Sequence, residues 1–409
     1  MSSSSVTHRA RVPQSITELN DRARELGVLQ VSMSQLPIVR SASKLEEPQF
    51  ICLRAVWPRK RDPKELFEAC KVSRTISQRV DEILNDFHEF DLYCDHIGNP
   101  TKGHPDRNMG AFQLVLQSQY RIPADSVLPS LNPNTTTVRK SDRVQSLPQP
   151  TRTETPSETT DPPTSDVTLS SVTTAADMEI ALEQSKDEQI VNEALLRLLN
   201  SLTVHIPNLH CAWSPFRSPF NKATFGTKVI TALTDGCLET DAFPEKFAIT
   251  EIKPTVRDRS NSPDLLWQET AEMVAWILHD DKNGRNTPIR RHMIVSQDNN
   301  EIFITLASFD KRYIQYLQDT LPPPTAPRRS SRRRRPPPSR ARPDSPPRSA
   351  SPPPTPSLPF LTMQEYGPWS IRHSTHMRLL GRAIVALSLE TSDIIATTLA
   401  KSSGANQRR

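Results

Sequence analysis

Apolar positions in this chain fall into separated blocks, each with its own period. Asp62-Pro63 offers a cap and a first-turn residue for a helix. Leu66, Phe67 and Cys70 follow, then Ile76, Val80, Ile83, Leu84 and Phe87, a spacing that predicts an amphipathic helix with one buried stripe. In DEQIVNEALLRLLNSL, Ile190, Val191, Ala194, Leu195, Leu198 and Leu199 repeat that pattern. LHCAW and GTKVITALTDG read as strands, the second ending at an Asp-Gly turn, and KFAITEIKP is a third, stopped by Pro254. Ser262-Pro263 opens a helix that runs to His279, with Leu266, Thr270, Met273, Val274 and Ile277 facing inward. HMIVSQ and EIFITLA are two strands joined through Asp298-Asn299-Asn300, and DKRYIQYLQ is a short helix.

The polar stretches between these blocks set the boundaries. With 38 prolines in 409 residues, much of the chain lacks the apolar content to form a core. The expected organisation is a disordered N-terminus (1–50), a helical extension (51–118) and a disordered linker (119–185). An α/β core (186–320), with a mixed sheet flanked by helices, comes next. A Pro/Arg/Ser-rich disordered insertion (321–357) then separates it from a C-terminal helical segment (358–400) that docks on the core. The run AIVALSLETSDIIATTLA is broken by Glu390 and Asp393 and reads as a soluble helix. No run of about 18 uninterrupted apolar residues is present, and MSSSSVTHRARVPQS lacks the apolar centre of a secretory signal. Neither a membrane nor secretion is therefore expected.

Charge changes the picture once. Lys and Arg number 51 against 46 Asp and Glu, but Arg328, Arg329, Arg332, Arg333, Arg334, Arg335, Arg340 and Arg342 crowd one short segment, and the remainder is slightly acidic. The net charge thus gives no argument for a basic folded surface. The Arg328–Arg342 segment reads as a signal for a nuclear import receptor, which makes the nucleus the expected location and the cytoplasm the alternative. Ser345, Ser351 and Thr355 each precede proline, where phosphorylation could tune that signal. Five widely spaced cysteines without a CxxC pair indicate neither a disulfide framework nor a zinc site. Cys94, His96 and His104 match no common zinc spacing.

On a strand, Phe247, Ile249, Glu251 and Lys253 share one side, while Ala248, Thr250 and Ile252 share the other. Taken alone, Glu251 and Lys253 suit an ion pair at a strand end. Asp235, at the end of the preceding strand, could come beside Glu251, and two facing carboxylates repel unless a divalent cation joins them. It serves equally as a turn former before glycine. Gln268-Glu269 lies beside the apolar stripe of the following helix, where a solvated helix edge is the alternative.

Asp235, Glu251-Ile252-Lys253 and Gln268-Glu269, on this order of elements, resemble the PD-(D/E)XK nuclease superfamily. The blocks DEQIVNEALLRLL, TDGCL, ITEIKP, QETAEMVAWI, VSQDNNEIFIT and YGPW, in that order, are similar to its uncharacterised fungal members, over 186–319 and 358–399. The resemblance implies a restriction-endonuclease-like core in which Asp235, Glu251 and the Ile252 carbonyl bind Mg²⁺ or Mn²⁺. Lys253 would orient the attacking water and offset charge on the phosphate, and Gln268 would support it from the helix. Glu193 would add a more distant carboxylate. Thr234 stands where the motif has proline. The implied function is metal-dependent hydrolysis of phosphodiester bonds in DNA or RNA; the alternative is an inactive relative that keeps the fold as a nucleic-acid or protein-binding module.

Overall fold

The computed structural model describes residues 10–99, 108–123, 175–259, 262–282, 291–321 and 358–406. In chain order these form α1 (Ile16–Glu25), α2 (Glu47–Cys52), β1 (Ala55–Val56), α3 (Leu66–Cys70), α4 (Arg74–Asn85), α5 (His88–Gly98) and α6 (Phe112–Tyr120). Next come α7 (Ala175–Thr203), β2 (Ala212–Ser214), β3 (Pro219–Phe225), β4 (Lys228–Leu233), β5 (Gly236–Thr240) and β6 (Phe243–Lys253). The chain continues through α8 (Asp264–Lys282), β7 (His292–Asp298), β8 (Glu301–Ser308), α9 (Lys311–Leu317), β9 (Leu361–Ser370) and α10 (Ser374–Asn406).

A mixed seven-stranded sheet, in the order β1-β9-β8-β7-β6-β5-β2, forms the middle layer. β6 and β7 run parallel, as do β1 and β9, and the other neighbours are antiparallel. Parallel neighbours need a crossover, which α8 supplies between β6 and β7. One face of the sheet packs against α5, α6, α7 and α10, through residues such as Leu195, Leu199, Ile252, Val295 and Ile384. The other packs against α8 and α9, through Ile249, Leu266, Ile294 and Tyr313.

The first 50 residues were expected to be disordered, yet residues 10–57 form a layer over α8. Ser15 caps α1 by accepting from the Glu18 N–H at 3.2 Å, and α1 buries Leu19 and Ala23. Further along, Phe50 stacks on Trp267 at 5.7 Å, and the Trp57 indole N–H donates to Thr270 Oγ1 at 2.9 Å. Apolar anchors here are many, but they fall in short helices and irregular turns with no sustained period, which hides them from a periodicity test. The same layer, with the β3–β4 hairpin, explains why α8 is buried nearly all round and not on one face only.

Other expectations change in a similar way. The single helix expected from Asp62 to Phe87 breaks at Lys71, which adopts a left-handed conformation (φ 50°), and restarts with Ser73 capping Ile76 N–H at 3.2 Å. Asp235-Gly236 is no hairpin turn. It is the step by which the chain leaves the β3–β4 ribbon and enters the seven-stranded sheet. The segment expected to be only helical after 358 begins with β9, inserted between β1 and β8. Within α10, Ser374–Lys401 is long and apolar enough to cross a membrane by composition, but 56% of its apolar window is buried inside the protein. Most of the 119–185 linker, the 321–357 insertion with Arg328–Arg342, and His104 lie outside the described residues. All five cysteines are buried and free; burial pushes the Cys94 thiol up to about 12, and His96 Nε2 lies 2.6 Å from Tyr120 Oη.

Candidate carboxylate and lysine site

The candidate site forms where β5 begins and β6 ends. Gly236 pairs with Thr250, so one step further along the antiparallel register sets Asp235 across from Glu251. Glycine is required for this approach: a Cβ at Gly236 would lie 2.7 Å from Ser214 O and 2.8 Å from Thr250 Oγ1. The Asp235 N–H donates to Thr250 O at 3.0 Å, and Asp235 Oδ2 accepts the Ile252 N–H at 3.1 Å. Within a strand a residue's N–H and C=O face the same neighbour, so the Ile252 carbonyl shares the Asp235 edge.

Alternation along β6 differs from the expected one at its start. Leu238 pairs with Ala248 and Glu239 with Lys246, which leaves Phe247 as a bulge. Phe247 therefore joins Ala248 and Ile252 against α7, while Ile249 faces α8. Beyond the bulge the alternation holds and carries Glu251 and Lys253 to the α8 side. Lys253 Nζ donates to Glu251 Oε1 at 2.7 Å, and Gln268 Nε2 of α8 donates to the same oxygen at 2.7 Å. Gln268 also donates to Glu272 Oε1, one turn along α8, at 2.8 Å. The structure thus brings together Asp235, Glu251, Ile252, Lys253 and Gln268.

Glu269 and Glu193 lie elsewhere. Glu269 points to the opposite edge of α8, into a sealed cluster around Arg257, and Glu193 pairs with Arg197 on the outside of α7. The α7 groups near the site are Glu188, whose charge acts on Lys253, and Asn192, whose Nδ2 donates to the Asp235 carbonyl at 3.4 Å. These two escaped the sequence reading, and so did two more groups. Glu272 lies four residues after Gln268, so the helical period alone could have found it. Arg217, in the loop after β2, places its NH2 3.2 Å from Asp235 Oδ1, a long-range contact with no local signal.

The electrostatics follow from burial. Asp235, Glu251 and Glu272 are each 1% exposed, whereas the Lys253 side chain retains 20% exposure. Burial works to lower the Lys253 pKa, but Glu251, Glu188 and Asp235 outweigh it and the net shift is upward, so Lys253 is an ammonium. Burial first, and then the Glu251 charge, push Glu272 well above the ordinary value of 4.5. In the folded chain Glu272 thus holds its proton to higher pH than a free carboxyl does, and its Oε2 has no hydrogen-bond partner among the described residues.

Among the described residues, no group of three or more His, Cys, Asp or Glu side chains is arranged to hold a metal ion. Magnesium asks for less: it keeps several waters and is commonly bound through one or two carboxylates. The carboxyl groups of Asp235 and Glu251, from neighbouring strand ends, with a backbone carbonyl on the Asp235 edge, fit that requirement. In comparisons with protein-family models, curated proteins and solved structures, the chain has no match.

Proposed function

We propose that the chain is a metal-dependent hydrolase of nucleic-acid phosphodiesters with a PD-(D/E)XK-like core. The observation that carries this reading is one constellation: Asp235 set across from Glu251, with Lys253 and Gln268 both within 2.7 Å of Glu251 Oε1. Asp235, Glu251 and the Ile252 carbonyl are the groups that would hold Mg²⁺ or Mn²⁺. Such a cation supplies Lewis-acid polarisation of the phosphate and of a bound water.

The chain's own residues divide the remaining work. Lys253 is charged, so it is no general base; its ammonium stands where negative charge grows on the phosphoryl oxygens and can offset it. Gln268 fixes the Glu251 carboxylate by a hydrogen bond from a rigid helix, and through Glu272 it is itself fixed. Glu272, whose hold on a proton is strengthened by burial and by the Glu251 charge, limits the negative charge next to Glu251 when protonated.

A second reading, a binding module without catalysis, is favoured by one observation. Both Asp235 oxygens already have partners within the chain, Arg217 on one and the Ile252 amide on the other. Calorimetry with Mg²⁺ and Mn²⁺, and cleavage of plasmid and oligonucleotide substrates, separate the two. The hydrolase reading expects cation binding and cleavage that Asp235→Asn and Lys253→Ala each slow by roughly 100-fold or more. Cleavage indifferent to both variants overturns the site, and absence of cation binding leaves the binding module.

A further inference from the structure

The loop Ser214-Pro215-Phe216-Arg217-Ser218-Pro219 leads from β2 to β3 and lies against Asp235. Its backbone is braced from several sides. The Phe216 N–H donates to Ser214 Oγ at 3.1 Å, and the Ser218 N–H donates to Thr234 Oγ1 at 3.2 Å. The Thr234 N–H returns a bond to Ser218 O at 3.4 Å, and Cys237 Sγ donates to Phe216 O at 3.7 Å. Thr234, the residue that stands in place of the motif proline, is thus a clasp for this loop. Two prolines restrict it further.

On that fixed backbone two neighbouring side chains go different ways. Arg217 reaches the site carboxylate while its side chain stays 37% exposed. Phe216 is 56% exposed, and the Lys246 ammonium, itself paired with Glu239, lies 5.4 Å from its ring centroid. Single exposed apolar residues are ordinary on protein surfaces. This one leans toward Lys246 while the next residue along the same braced loop reaches Asp235, so adjoining positions of the loop offer an exposed aromatic ring and a guanidinium. A nucleotide offers the matching pair, a base for the ring and a phosphate for the guanidinium. Bases inside a duplex are stacked on their neighbours and have no free face, so the arrangement selects single strands.

We propose that the 214–219 loop recognises single-stranded nucleic acid, with Phe216 stacking on one base and Arg217 pairing with the adjoining phosphate. The inference rests on reading the site as one that acts on phosphodiesters. DNA and RNA share this chemistry, and separate probes distinguish them.

Fluorescence anisotropy of the full chain with short labelled single-stranded DNA, single-stranded RNA and duplex DNA, in Ca²⁺ to keep the probes intact, tests it. One of the single strands is expected to bind at least about tenfold more tightly than the duplex. Phe216→Ala should weaken that binding about tenfold, within the range of one lost base stack, and Phe216→Trp should retain it. Arg217→Gln should weaken binding and reduce the salt slope by about one. Because Phe216 is exposed, melting of the Phe216 variants should match the parent chain. Equal binding by Phe216→Ala and the parent, tighter binding of the duplex, or no binding of either single strand overturns the inference. Single-strand binding that needs Phe216, without cleavage in Mg²⁺, removes the hydrolase reading and leaves this one standing. Lys253-dependent cleavage with parent-like affinity and rate in Phe216→Ala does the reverse.

Discussion

Two clusters of buried charge lie side by side at the C-terminal ends of the parallel strands β6 and β7. Each sets a cation among carboxylates, yet they differ in access. Arg257, with a side chain only 3% exposed, donates to Asp298 Oδ2 and Glu365 Oε2 at 2.5 Å each, to Ser296 Oγ at 2.9 Å and to both oxygens of Glu269. Its plane also lies over the Phe303 ring, 4.5 Å from the centroid. A guanidinium has five donors in a fixed fork, and here the fork is used up. Lys253 has three donors on a flexible stem and is open to solvent on one side, its side chain 20% exposed. The difference teaches where chemistry can happen: a cluster sealed from solvent around a cation whose donors are all engaged fixes the strand ends, while one open to solvent can exchange partners. Lys253 pairs in register with Asp298, so the sealed cluster also braces the open one.

The largest expected effect tests the sealed side. Arg257→Ala leaves Glu269 and Asp298 buried without their cation, and Glu365 with Arg259 alone, and should cost about 3–5 kcal/mol, read from the midpoint of urea unfolding. Lys253→Ala should instead act on function, lowering the phosphodiester cleavage rate by roughly 100- to 1,000-fold, with a smaller loss of stability than Arg257→Ala. An equal or greater loss of stability for Lys253→Ala would erase the distinction between the clusters.

The carboxylates sharpen it further. Glu269→Gln removes one bidentate partner of Arg257 and should destabilise by about 2 kcal/mol. Glu272→Gln replaces a buried carboxyl that burial disfavours in its charged form by a neutral amide, and should leave the melting temperature at pH 7 unchanged or raised. A clear loss of stability in Glu272→Gln would show that this carboxyl is ionised in the folded protein.

The smallest effect is a slope. Burial raises Glu272, so the folded state keeps a proton that the unfolded chain gives up near pH 4.5, and its contribution makes stability fall as pH rises above that value. Burial raises Glu269 and Asp298 as well, with Arg257 pulling against it, so they add to the same slope. Glu272→Gln should therefore flatten the decline without removing it, as measured by thermal melts between pH 5 and pH 8.

Much of this site was legible before any fold was known. Glu251 and Lys253 share a face because strand positions alternate, and Gln268 reaches them because α8 follows β6 and crosses back to β7. The split between Gln268 and Glu269 was less legible. Adjacent helical positions differ by about 100°, so one goes to the open cluster and the other to the sealed one, but the sequence does not say what awaits each. The bulge at Phe247 was invisible too, since it arises from the pairing with β5 and not from β6 itself.

By itself, then, the sequence determined the periods: the strands β6, β7 and β8, the helix α8 between them, and the two charges at one strand end. Such features depend on neighbours within a few residues, where local geometry is set by the backbone. Tertiary structure alone decided the layer of residues 10–57 over α8, the insertion of β9 beside β8, and Arg217 on Asp235. These join segments far apart in the chain through aperiodic apolar anchors and backbone pairing. Their energy comes from burial against a surface that exists only after the rest has folded.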